Sequence, residues 1–184
     1  MIEAAVALVG YAGFLVVALV VRTDRLSWVR FASQADALAG AVLAIAVTSS
    51  FVSLLLVLLG DLHPWASPSA VLFAGGLLVA LGVVVALSAQ HQLGPAWRPG
   101  IDPRDHPPLV TDSLYRHSRN PFYAGWVMVA SGVAALSPTP LSVAGLLGLI
   151  LSLEIVVRFV EEPALHAAQG QAYVDYARRT RRFI

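Results

Sequence analysis

Long apolar runs decide what this chain can fold into. Residues 2–21, 38–60, 69–89, 122–137 and 141–160 are nearly unbroken stretches of apolar side chains, with the polar residues gathered between them. A helix rises ~1.5 Å per residue and the hydrocarbon core of a bilayer is ~30 Å thick, so about 20 such residues cross it. The fourth run is 16 residues long and would reach only about 24 Å. Only Pro138-Thr139-Pro140 separates it from the fifth, so the two read as a tight helical hairpin. Hydrophobic residues make up 58% of the 184 and charged ones 12%, against roughly 25% charged in a soluble domain. That much apolar surface has no cover outside a lipid phase. The expected fold is an all-α integral membrane protein with about five transmembrane helices. It forms a single domain over residues 1–184, with a polar loop over 90–121 and a C-terminal amphipathic helix over 163–180.

The same composition excludes an intrinsically disordered chain and a nucleic-acid binder. With no Cys in the chain, disulfides, thiolate nucleophiles and thiolate metal sites are ruled out. The five His residues show no paired ligand spacing, so no metal is expected. The start does not read as a cleavable signal peptide, because Glu3 stands where a basic region would and the Arg residues follow the apolar run.

Charge placement orients the chain. All 12 basic side chains are Arg. Arg22, Arg25 and Arg30 follow the first run, and Arg98, Arg104, Arg116 and Arg119 lie between the third and fourth. Arg158, Arg178, Arg179, Arg181 and Arg182 lie at the C-terminal end, while residues 61–68 and the Pro-Thr-Pro turn carry none. Alternating loops therefore hold everything or nothing, the pattern of five crossings under the positive-inside rule. The expectation is an N-terminus outside the cell's inner (cytoplasmic) membrane, with the long loop and the C-terminus in the cytoplasm.

Two polar segments on that face could carry chemistry. Leu109 to Trp126 concentrates Tyr115, Arg116, His117, Arg119, Asn120 and Tyr123 at a membrane entry point. At the end of the fifth run, Glu154, Arg158 and Glu161 fall at i, i+4 and i+7, with Glu162 four residues beyond Arg158. Charges bordering a span mark a functional site by default. They also suit a bland alternative, an interfacial salt-bridge ladder that snorkels to water. Gly75, Gly76 and Gly82, with Gly145 and Gly148, lie inside bare apolar helices. They read as close helix contacts, not as a phosphate-cradling or Rossmann loop.

These segments resemble a family. L-V-T-x-x-x-Y-x-x-x-R-N-P-x-Y-x-G (Leu109 to Gly125), R-x-x-E-E (Arg158 to Glu162) and G-x-x-Y-x-x-Y-x-x-R (Gly170 to Arg179) occur in order, with L-G-x-x-W (Leu93 to Trp97) upstream. Together they resemble the membrane methyltransferases typified by isoprenylcysteine carboxyl methyltransferase and the phospholipid methyltransferases, over roughly the C-terminal half. The resemblance implies S-adenosylmethionine as cofactor, contacted by Leu109, Val110, Tyr115, Asn120, Pro121, Phe122, Tyr123 and Glu162. Arg158 would orient a lipidic or hydrophobic small-molecule acceptor, such as an isoprenylcysteine-type carboxylate. Departures are Asn120 for the family His, Ser113-Leu114 for Gly-Pro, His106 one residue displaced, and Arg179-Thr180-Arg181-Arg182 for R-V-P-R. Two other readings stand beside it: a non-catalytic membrane scaffold or degenerate member, and an NADPH-dependent enzyme like the sterol reductases.

Overall fold

A computed structural model describes residues 2–20, 34–94 and 108–183. The expected positions Arg22, Arg25, Arg30, Trp97, Arg98, Arg104 and His106 lie outside the described residues. The described part is built from helices: α1 (Ile2–Val20), α2 (Gln34–Leu59), α3 (Ser69–Leu93), α4 (Pro121–Leu136) and α5 (Pro140–Val156). A π-helical turn (Val157–Glu161), α6 (Glu162–Gln169) and α7 (Gln171–Arg179) follow. Among the described residues the sole β feature is an isolated parallel bridge between Ser118 and Arg181. Three helical stretches, Gly40–Leu59, Ser69–Leu93 and Pro140–Gln169, are long and apolar enough to cross a membrane. The apolar helices α1 and α4 pack beside them.

The packing runs opposite to that of a soluble protein. On α3 the buried positions include Gly75, Gly82, Ala86 and Ala89, whereas Phe73 is 76% exposed and Val84 61%. Small residues face the neighbouring helix and large apolar ones face outward, the arrangement that suits a lipid surround. The α3–α4 interface is backbone against backbone. A Cβ at Gly125 would stand 2.6 Å from the Ala86 nitrogen, and one at Gly82 2.7 Å from the Gly125 carbonyl. Helix α2 meets α5 in the same way, with Gly145 against the Ala46 carbonyl and Ser50. Gly76 has nothing within 4 Å, so the expectation of a close contact there fails.

The short connection between α4 and α5 is buried and tightly bonded. Thr139 caps α5 in a reciprocal box with Ser142: the Thr139 Oγ1 accepts from the Ser142 N–H at 3.0 Å, and the Ser142 Oγ accepts from the Thr139 N–H at 2.9 Å. Thr139 also shares a 2.6 Å hydroxyl hydrogen bond with Ser53 of α2. At the same end, the Trp65 N–H donates to the Pro138 carbonyl at 2.9 Å.

At the other end the elements differ from the sequence expectation in two ways. The fifth helix was expected to stop near residue 160, yet the chain stays helical to Gln169. Pro163 has no N–H and its ring would crowd the carbonyl of Phe159; the wider π turn ahead of it gives that ring room. The amphipathic helix expected over 163–180 is instead two helices, because Gly170 adopts φ +55 and turns the chain between α6 and α7.

Candidate active site at the polar end of the helices

The segment before α4 is held from three sides. Ser113–Arg116 forms a single 3-10 turn that buries Tyr115. The Tyr115 hydroxyl donates to the Ala89 carbonyl at 3.4 Å, and its carbonyl accepts from the Tyr176 hydroxyl of α7 at 2.6 Å. Burial pushes both phenols up, Tyr176 to about 12, so each stays a neutral donor. From α3, the Gln92 Oε1 accepts from the Leu114 N–H at 3.0 Å. From the C-terminal side, the Arg119 N–H donates to the Arg181 carbonyl at 2.8 Å, and the Asn120 Nδ2 donates to the Arg182 carbonyl at 3.0 Å.

The charged residues after α5 separate into three groups. A straight α-helix would stack Arg158 on Glu162, but the π turn carries one more residue per turn and changes their phase. Arg158 reaches back to Glu154 and is half exposed. The Glu161 carboxylate accepts from the Tyr123 hydroxyl of α4. Glu162 takes two guanidiniums at once. The Arg182 Nε and Nη2 fork onto its two oxygens at 2.8 and 2.7 Å, and the Arg119 Nη1 lies 3.0 Å away. The hydrogen bonds that Arg182 donates to Glu162 raise the Arg182 pKa further.

The candidates named from the sequence thus fall into distinct environments. Asn120, Pro121, Phe122 and Tyr123 form the entry to α4, where the Phe122 ring meets those of Tyr123 and Trp126 edge-on at 5.7 and 6.1 Å. Leu109 and Val110 are half-buried on the extended stretch ahead of the 3-10 turn. Tyr115 is fully engaged beneath α7, and Glu162 joins the entry to α4 with the C-terminal residues. Arg158 stands apart with its own partner. Sequence reasoning missed the roles of Arg119, Arg182 and Tyr173. Arg119 lies in the R-N-P triplet and Arg182 in the terminal Arg cluster, so both were visible as motif letters but not as partners of one carboxylate.

The phospholipid methyltransferase family model matches residues 70–172, more than half of the chain. The chain belongs to the phospholipid methyltransferase family. No curated protein matches it. The matched span runs from α3 through the entry to α4, the π turn and α6, so the family region contains Asn120, Tyr123, Glu161 and Glu162. It stops short of Tyr176 and Arg182, which close the site from outside it. Family membership and three helices of membrane-crossing length make this an integral membrane protein.

Proposed function

We propose that this family member transfers a methyl group from S-adenosylmethionine to a lipidic acceptor at the cytoplasmic membrane surface. The observation that carries the reading is the meeting of separate motif segments at one end of the helices: Asn120 and Tyr123 at the entry to α4, Glu161 and Glu162 after the π turn, and Tyr176 on α7. The cofactor, when bound, supplies an activated methyl on a cationic sulfur. Aromatic faces and carboxylates suit such a cation, and Phe122, Tyr123 and Glu161 provide both on adjacent elements. Among the described residues the buried Arg119 Nε has no partner, so the polar end has a donor to spare for a ligand.

The chain's contribution is alignment, since in-line displacement gains most from proximity. A carboxylate acceptor is already ionised at neutral pH and needs no base. An amine head group would have to lose a proton. Asn120 cannot take it; in this reading the Glu161 carboxylate, beside Tyr123, would accept it. Asn120, standing where the family has His, offers no base, which favours a carboxylate or an acceptor that deprotonates easily. The Tyr123–Glu161 pair opens the amine route as well.

Incubating membranes with methyl-labelled cofactor tests the reading. A labelled lipid is expected, with base-labile label marking a methyl ester and base-stable label a methylamine. No labelled product together with no saturable cofactor binding in detergent would establish the scaffold reading instead. Arg158 is tested separately. If it orients an anionic acceptor, Arg158→Lys keeps the charge, loses the planar fork, and raises KM or lowers kcat while cofactor binding holds. Wild-type turnover in Arg158→Lys would leave Arg158 as the partner of Glu154 alone.

A further inference from the structure

We infer that Arg119 and Arg182 form a binding site for a singly charged oxyanion, either a carboxylate or a phosphodiester. The inference deepens the methyltransferase reading and rests on it only for the ligand's identity. The two guanidiniums share one carboxylate, that of Glu162. Among the described residues no second carboxylate pairs with either. Glu161 is taken by Tyr123, and Glu154, which acts on Arg182 from farther off, is taken by Arg158. Among the described carboxylates one positive charge is therefore left over, with the Arg119 side chain 13% exposed, that of Glu162 16% and that of Arg182 30%. Uncompensated charge on partly buried side chains is costly and is relieved by a counter-ion.

Three further features point to an anion. The Arg119 Nε is buried and, among the described residues, donates to nothing. The Tyr173 hydroxyl accepts from the Arg119 Nη1 at 3.4 Å, leaving its own proton to donate, and burial raises its pKa so that the proton stays. Helix α4 starts just after Arg119 with no acidic residue in its first turn, and Asn120 does not cap it because its side chain turns to the Arg182 carbonyl. The positive end of that helix is therefore not offset by a carboxylate of its own. With the Arg182 fork on Glu162, the Arg119 Nε and the Tyr173 hydroxyl are the donors that suit an oxygen of a carboxylate or phosphate. The amino-acid half of the cofactor supplies the first and a lipid head group the second.

Two comparisons decide between the sources. Calorimetry in detergent sets S-adenosylhomocysteine against its decarboxylated counterpart, and micelle binding sets phosphatidylglycerol against diacylglycerol. The wild type is expected to favour the anionic member of one pair by about tenfold or more, and Arg119→Gln to abolish that preference. Arg119 is the better choice for replacement because Arg182 still pairs Glu162 in the variant; Arg119→Lys, expected to weaken the preference by a smaller factor, replaces it if Arg119→Gln does not fold. Wild-type protein indifferent to charge in both pairs overturns the anion site. So does a preference that survives unchanged in both Arg119 variants. Wild type that binds neither nucleoside yet prefers phosphatidylglycerol keeps the anion site and removes the methyltransferase reading.

Discussion

Glu162 has the widest consequences of any single side chain at the polar end, because the entry to α4 and the residues after α7 both hang on its carboxylate. Glu162→Gln leaves two guanidiniums facing a neutral amide. We predict a stability loss on the order of 2 kcal/mol, since the group is partly buried and both partners are charged. Thermal melting in detergent measures it, and a melt equal to wild type would show that the network holds nothing together. The phenols predict a pH dependence. Tyr176 is raised from 10 to about 12 and Tyr115 is raised further, both mainly by burial. The folded protein therefore keeps protons that the unfolded chain releases above pH 10, and stability must fall as pH rises through that range. Melts at pH 9 and pH 11 should differ by more in wild type than in Tyr176→Phe; equal drops would place the sensitive group elsewhere. Tyr115, Asn120 and Glu162 were legible as important letters in the sequence. Their partners were not, because Tyr176 and Arg182 are brought to them only by the turn at Gly170.

Among the elements, α3 and α4 stand out because their contact leaves no space for a methyl group. At Gly82 an added Cβ would meet the Gly125 carbonyl at 2.7 Å and the Val129 nitrogen at 2.8 Å, all backbone atoms that cannot swing aside. Gly82→Ala is therefore predicted to force the helices apart and abolish folding or lower the melt sharply. Gly76→Ala, six residues earlier on the same helix, meets nothing within 4 Å and gains helix propensity, so its melt should equal or exceed wild type. Equal behaviour of the two variants in detergent melts would show that backbone approach does not hold this interface. Both glycines looked alike in the sequence, as small residues inside an apolar run. Which of them faces a neighbour depends on the rotation of α3 about its axis, and only packing sets that. The π turn makes the same point. Spacing put Glu162 one turn above Arg158, but the wide turn shifts the phase and hands Glu161 to Tyr123 and Glu162 to Arg119 and Arg182.

For the whole molecule, orientation in the membrane is the open test. The absence of native Cys makes single-cysteine labelling clean. His63 lies in the Arg-free connection and His117 in the Arg-rich one, and both are exposed. His63→Cys should react with an impermeant thiol reagent from outside intact cells, and His117→Cys should react only after lysis. The reverse pattern would overturn both the orientation and the cytoplasmic placement of the site. By itself the sequence determined that the chain belongs in a membrane, because hydrophobic length is a sum over consecutive residues. Its Arg distribution sets the expectation of which loops share a side, because Arg counts are additive, and it placed the family's motif letters. The tertiary structure alone decided which cation meets which carboxylate, which glycines touch, and that Arg158 stands apart from the network around Glu162. Those outcomes depend on helix rotation, on one extra residue in a π turn and on a left-handed glycine, and none of these scales with any local run of residues.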